Sequence, residues 1–308
     1  MVRNNLSLTD FGFADHYVVR NLVGALKLML EDKATIVYFS YLVFVLLLGV
    51  FGPMLAPYPY DKTLYVNGEI LRAAPPSLAH PLGTNNIGQD VFSRLLYGAR
   101  PTVITGLLGG TMIIGIGMSI GITAGYVGGR VDDTLMRFTD IVYGVPLIPF
   151  AIVLVSLFGI GFLQSIVIIG ALLWRGNARV LRSQVLQIRE RPFILASKAA
   201  GASRTRIVFK HILPNVAPMA VLFFSLGIGF SILIQATLAF LGVTSPFIPS
   251  WGVMVRSAYN SGLMSQMWWW TLPPALMIAF TVLATFMFGR SYENIAGQSN
   301  ENAFAQAG

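Results

Sequence analysis

A chain of 308 residues with 55% hydrophobic and only 11% charged residues cannot be one large soluble domain or two small ones. Soluble domains carry about a quarter charged residues, because Lys, Glu, Arg and Asp stay at the surface. The mean hydropathy of +0.68 points to a membrane protein, the net charge of +8 raises nucleic acid as a partner, and the lack of Cys excludes disulfides, thiolate zinc sites and thiol catalysis.

Residues 1–35 are polar, with charges of both signs, and read as an N-terminal segment outside the membrane. The apolar run that starts at Ile36 has no small-residue cleavage site after it, the pattern of a retained anchor. Crossing about 30 Å of hydrocarbon takes roughly 20 helical residues. Segments 36–56, 103–126, 216–241 and 268–288 meet that length. Segment 141–174 holds 34 residues without a charge, about 50 Å of helix and too long for one crossing. Its Phe158-Gly159-Ile160-Gly161 favours a turn, so it is split into two spans joined by a tight hairpin. The second of these, 162–174, is short and must borrow residues beyond Trp174. The predicted fold is all-α, a polytopic membrane bundle of about six helices.

Between spans, Asn85 to Arg100 places Ile87, Val91, Leu95 and Leu96 at helical spacing. This predicts an interfacial helix running into the second span, either lining a vestibule or anchored on the membrane surface. The second span carries Gly106, Gly109, Gly110, Gly115, Gly117, Gly121 and Gly125, a face for close helix packing. The loop from Gly242 to Thr271 is rich in Pro and aromatics, including Pro249, Trp251, Tyr259 and the triplet Trp268–Trp270, which suits an interfacial belt. Gln164, Gln235, Thr237, Ser231 and Asn177 are polar groups in or near spans, facing a translocation path or bonding between helices. His16, His80 and His211 stand far apart, without acids or Ser in triad or metal spacing, and read as structural.

No Asp, Glu, Lys, Arg or His lies within the predicted spans. That argues against an ion-coupled secondary carrier or channel, whose mechanism needs buried ionisable groups. A membrane-anchored enzyme has no catalytic constellation to support it. The charges concentrate instead. Nine cations between Arg175 and Lys210 face one acid, Glu190, so this stretch alone carries the net +8 of the chain. With the N-terminus inside, sixteen basic residues fall in cytoplasmic segments and five in external ones, as positive-inside orientation requires. Orientation, not nucleic acid, accounts for the excess. The stretch 175–215 reads as a helix continuing out of the fourth span, then Pro192 opening a short helix over 193–200. Gly201 breaks it, a second short helix covers 203–211, and Pro214 with Asn215 leads into the fifth span. Such a segment is either an amphipathic piece held by anionic lipid or a docking surface for a soluble partner.

Ala196-Ser197-Lys198-Ala199-Ala200-Gly201-Ala202-Ser203, followed by His211-Ile212-Leu213-Pro214-Asn215, resembles the EAA loop of ABC-importer permeases. His80-Pro81-Leu82-Gly83-Thr84, Gly88-Gln89-Asp90-Val91 and Ser93-Arg94-Leu95-Leu96-Tyr97-Gly98-Ala99-Arg100 are similar to the signature ahead of the second span in permeases of the dipeptide/oligopeptide/nickel class, the C-type subunit. Gly128-Gly129-Arg130-Val131-Asp132, Leu135-Met136-Arg137-Phe138-Thr139-Asp140, Phe240-Leu241-Gly242 and Pro249-Ser250-Trp251-Gly252 fit the same family. The likeness runs from about residue 36 to 297. It implies the fold of a type I ABC-importer permease, with a permease domain over 36–297 between cytoplasmic segments 1–35 and 298–308. Loops 57–102 and 242–267 would be external and 175–215 cytoplasmic.

The same resemblance implies that the loop holds a coupling helix seated in a cytoplasmic ATPase, with Phe193, Ala196, Ser197, Gly201, Arg204, His211 and Pro214 as the docking residues. Gln164, Gln235 and Thr237 become candidates for the translocation path, and Pro249, Trp251 and Tyr259 for contact with an external binding protein. The expected partners are a second homologous permease subunit, two ATPase subunits, a substrate-binding protein and membrane lipid, with no nucleic acid. No Gly-x-x-x-x-Gly-Lys-Ser/Thr occurs, so no cofactor is expected on this chain and ATP with Mg belongs to partner subunits. The setting is the plasma (inner) membrane of a prokaryote, multi-pass with both termini cytoplasmic. The family moves short peptides, nickel and, in some members, oligosaccharides; peptide is the first reading and oligosaccharide the second. One departure stands out. The Glu-Ala-Ala of the family, whose Glu the resemblance pairs with a basic group on the ATPase, reads Leu195-Ala196-Ser197 here, which leaves docking to Ser197, Arg204 or packing.

Overall fold

The computed structural model describes residues 32–159 and 161–305; the N-terminal segment to residue 31, with His16, and residues 160 and 306–308 lie outside them. Helix α1 spans Lys33–Leu55. Asp32 caps it, accepting from the Ala34 and Thr35 amides, and the Thr35 hydroxyl bond holds its carboxyl below the usual carboxylate range. The helix stops where Ala56 turns extended ahead of Pro57.

Residues 57–90 are irregular apart from a hairpin, β1 (Tyr65–Val66) and β2 (Glu69–Ile70), paired Tyr65 to Ile70 and Val66 to Glu69. Asn67 and Gly68 both take positive φ, 54° and 84°, the twist that suits a two-residue hairpin turn.

Helix α2 covers Val91–Val127, 37 residues and about 55 Å. The predicted interfacial helix is thus not a separate element. Residues 85–90 form a turn, and the helix begins at Val91 with Val91, Leu96 and Ala99 buried in protein. Val91 and Leu96 thus pack inside the protein, while Ile87, in the turn, is exposed. Six of the seven predicted glycines form a packed face, divided in two, whereas Gly115 faces open space. Gly106, Gly109 and Gly110 lie against Ile228, Ser231 and neighbouring atoms, while Gly117, Gly121 and Gly125 lie on the backbone of 174–182. A Cβ at Gly121 would stand 2.6 Å from the Ala178 carbonyl, a separation no side chain tolerates.

Gly128, at φ +71°, ends α2 and starts α3, Gly129–Tyr143. After a break at Pro146, α4 covers Leu147–Phe158, with its course to Leu154 bent 75° from α3. Twelve residues reach only about 18 Å, so the predicted third span is a short helix that crosses only if α3 is counted with it. Gly159, at φ +60°, forms the expected break, and α5 runs Phe162–Arg189, well past Trp174 as predicted. Then come α6 (Pro192–Ala199), α7 (Arg204–Ile207), a π-turn over Val208–Ile212 and α8 (Leu213–Leu241). Helix α9 (Trp251–Asn260) returns into the bundle, and α10 (Trp268–Ala305) closes it, continuing into the predicted tail as far as Ala305.

Among the described residues four helices are long and apolar enough to cross a membrane, or five with the bent pair. The predicted count of six differs because α4 is short and the cations of α5 take it out of the apolar class. Helix α2 is central, packed on α1, α5 and α8, with α10 against α1, α8 and α9. The two largest apolar clusters are separate: one gathers Val45, Val91, Ala99, Trp251, Met254 and Trp270, the other Ile122, Leu181, Val185, Ile188, Ile194, Ile207 and Ile212; smaller ones form around Ile169 and Leu238 and around Tyr292.

Candidate functional site

The segment 192–215 is built on the second core. Pro192 stands at the first position of α6, where its missing N–H costs nothing. The helix ends in two reverse hydrogen bonds, Ala202 N to Ser197 O (3.1 Å) and Gly201 N to Lys198 O (3.0 Å). That ending demands a left-handed residue, and Gly201 takes φ +80°. A Cβ there would meet nothing, so the demand on Gly201 is purely conformational. Ser203 caps the next turn, accepting from Arg206 N at 3.3 Å. The predicted second short helix is not free-standing, because Arg204–Leu241 is continuous. Pro214 cannot donate to Lys210 and would press on its carbonyl; the wider π-turn just before it, with Leu213 N bonded to Val208 O, relieves that conflict.

Side chains then fasten the two arms together. Ser197 Oγ donates to Phe193 O at 2.8 Å and lies 3.4 Å from His211 Nε2, and the Phe193 and His211 rings are 6.1 Å apart. Asn215 Nδ2 donates to the His211 carbonyl at 2.7 Å. Ile194, Ile207 and Ile212 are fully buried beneath, each contributing about 1.5–3 kcal/mol. Of the predicted docking residues, Phe193, Ser197, His211 and Pro214 are half-buried and form the scaffold, whereas Ala196, Gly201 and Arg204 are exposed. Leu195 is 48% exposed.

Four of the nine cations do other work. Arg182 Nε and Nη2 donate to both Asp132 oxygens at 2.5 and 2.6 Å. Arg179 pairs with Asp140 and lies over the Tyr143 ring at 4.1 Å. Arg175 donates to the Val142 and Val145 carbonyls at 2.7 and 3.1 Å. Arg189 donates to Gly125 O at 3.0 Å and to Glu190 at 2.9 Å. Together they fasten α3 and the α2–α3 corner to α5. The sequence held the signal: Arg175, Arg179, Arg182 and Arg189 recur at helical spacing, and Asp132 and Asp140 do so across the gap.

The polar pathway candidates do not meet. Gln235 is buried and accepts from Ser165 Oγ at 3.1 Å. It also lines a small recess with Thr102, Thr105, Ile232, Ser250 and Ile278. Gln164 is exposed, and Thr237, half-buried, turns its hydroxyl back to Leu233 O.

At the opposite end the geometry corrects one reading. Trp251 is fully buried, donates to Leu95 O at 3.0 Å and packs on Gly98, so it offers no surface to a partner. Pro249 is half-buried and Tyr259 exposed, its ring 5.2 Å from Phe240. The Trp triplet is not a uniform belt either: Trp268 is exposed, Trp269 donates to Thr84 O at 3.4 Å and Trp270 is buried. His80 is structural, its Nδ1 3.0 Å from Asp90 Oδ1, while Asp90 Oδ2 caps α2 through Ser93 N at 2.7 Å. Arg94 is tied to Gln89 and to Tyr60 O.

Residues 117–295, which include the whole segment 192–215, match the family described as binding-protein-dependent transport system inner membrane component. The chain belongs to that family. Its relatives include the dipeptide transport system permease protein DppC of Bacillus subtilis, 34% identical over 261 residues that cover 84% of this chain and 80% of that protein. The oligopeptide transport system permease protein OppC of the same organism is 31% identical, covering 84% and 83%. The glutathione transport system permease protein GsiD of Pectobacterium atrosepticum is 34% identical, covering 75% and 76%. The chain is therefore a multi-pass permease component of an ABC importer and not itself an enzyme. Permeases of this family work with ATPase and substrate-binding partners.

Proposed function

We propose that this permease forms half of a translocation path for short peptides, paired with a second, homologous permease subunit. Two ATPase subunits, carrying ATP and Mg, would work from the cytoplasm, and a substrate-binding protein would deliver peptide from outside. The observation that carries the reading is the segment 192–215, whose underside is locked to α5 while Ala196, Gly201 and Arg204 remain exposed. The peptide substrate is supported by the relatives, whose names specify dipeptides and oligopeptides. Orientation follows the charges: sixteen of twenty-one basic residues fall on the side of 175–215, which makes that side cytoplasmic. Both termini then lie inside, in a prokaryotic plasma membrane, with 36–297 as the permease domain.

In this mechanism closure of the ATPases pulls on α6, and the bundle passes from inward-facing to outward-facing; hydrolysis returns it. Gln164, Gln235 and Thr237 are candidates for polar groups along the path, and Pro249 and Tyr259 for contact with the binding protein. The test is uptake by proteoliposomes holding the full complex. ATP-dependent accumulation of labelled di- or oligopeptide is expected. Accumulation of an oligosaccharide or of nickel instead would overturn the peptide assignment, and ATP hydrolysis by this chain alone would overturn the subunit assignment.

A further inference from the structure

Charge and exposure in the segment 192–215 do not fit a partner that offers a basic group. From Arg191 to Tyr292 the chain has no Asp or Glu, and Glu190, next to that stretch, is engaged by Arg189. Leu195 and Phe209 are 48% and 57% exposed. Lys198, one helical turn beyond Leu195, is exposed, as are Arg204 and Lys210, and these three make no ion pair among the described residues. Exposed apolar side chains ringed by unopposed cations form an interface of defined polarity, since complementary potentials select the partner.

We propose that the ATPase cleft receiving α6 is acidic with an apolar floor, so that this chain docks with the electrostatic sense opposite to that of an acid-bearing coupling helix. The proposal rests on the reading of 192–215 as the ATPase contact. For Leu195 and Lys198, position along the bundle favours a protein over a lipid surface, whereas Phe209 and Lys210 stand beside the charge-free run that starts at Ile212. Helix α5 carries the chain 15 residues beyond Trp174, where the charge-free run ends, about 22 Å along the helix, and α6 follows it. A headgroup layer is only roughly 5–8 Å thick.

The experiment uses the assembled importer in lipid nanodiscs and reads the ATPase retained per permease, together with peptide-stimulated ATP hydrolysis. Lys198→Glu/Arg204→Glu/Lys210→Glu is expected to cut retention about tenfold or more, and high salt should weaken the unmodified complex in the same direction. Leu195→Glu decides the polarity. An acid facing an acidic cleft is expected to lower retention about fivefold, while Leu195→Lys stays within about twofold. Retention unchanged or raised by Leu195→Glu overturns the proposal but leaves the docking reading standing. If the triple reversal fails to insert, Lys198→Gln/Arg204→Gln/Lys210→Gln carries the same test, with a loss of about threefold expected. A loss seen in anionic nanodiscs and absent in neutral ones assigns the cations to lipid and also overturns it. Failure of the unmodified complex to hold an ATPase through this segment, judged by cross-linking from Ala196→Cys, would sink the docking reading itself.

Discussion

The two ends of the bundle are held by different physics. At the tryptophan end, neutral bonds hold residues 57–102 together, Thr84 Oγ1 to Leu71 O (2.6 Å) and Asn85 Nδ2 to Gln89 Oε1 (2.9 Å), and tie them to 242–270, Trp251 Nε1 to Leu95 O (3.0 Å) and Trp269 Nε1 to Thr84 O (3.4 Å). His80 sits inside that network against Asp90, and Arg94 reaches Gln89 and Tyr60 O through Nη1 while its buried Nε has no partner among the described residues. At the arginine end, α3 is held to α5 by charge-assisted bonds, and Lys198, Arg204 and Lys210 are left facing outward. Hydrogen bonds closed within one chain specify one arrangement. Exposed cations leave a surface whose partner lies in another chain. The bundle is closed at one end and unfinished at the other.

Substitutions can break that contrast or sharpen it. Trp251→Ala empties a buried site and frees Leu95 O; a loss of about 3–5 kcal/mol is expected, read as detergent unfolding, with ATPase retention unchanged per folded molecule. Loss of retention without loss of stability would erase the distinction between the ends. Asp132→Asn leaves Arg182 half-partnered in a partly buried pair, and about 2–3 kcal/mol should follow, with the Asp132→Asn/Arg182→Gln double variant recovering part of it. Additive losses in that pair of measurements would refute the α3–α5 tie. Gly201→Ala forces a Cβ into the left-handed region at about 1 kcal/mol, and Gly201→Asp adds a charge at the exposed turn. Uptake should fall at least about tenfold in the Asp variant with insertion intact; normal uptake would exclude the segment from coupling. Arg179→Gln, in a pair exposed on both sides, should cost under about 1 kcal/mol. A loss as large as that at Asp132 would show that exposure does not grade these pairs. Because the chain has no Cys, single Cys at Asn67 and Ser203 should react with an impermeant maleimide from outside and inside respectively, and the reverse pattern would invert the topology.

Much of this was legible beforehand. Hydropathy located α1, α2, α8 and α10 because each is a long apolar run, and Gly201 announced its own turn by residue type. The short helix α4 misled the count, since composition records apolarity and not the 75° bend that Pro146 introduces. The hairpin at Asn67-Gly68 carries a recognised turn signal but only two residues of strand on each side, too little alternation to register. Trp251 was placed on the surface because an aromatic in a Pro-rich loop looks the same whether it faces lipid, partner or core. The Arg182–Asp132 pair spans fifty residues, a separation at which spacing predicts a face but not which neighbour fills it.

The unbroken course from Arg204 to Leu241 gives the molecule a rod of 38 residues, about 57 Å long. Its near end carries the exposed Arg204, and its far half carries Gln235 beside the recess lined by Thr105. Tilting a rod of that length by about 5° swings its tip by about 5 Å, roughly the radius of a helix with its side chains. A tilt of that size about the arginine end would move the recess wall at Gln235, 31 residues along, by about 4 Å.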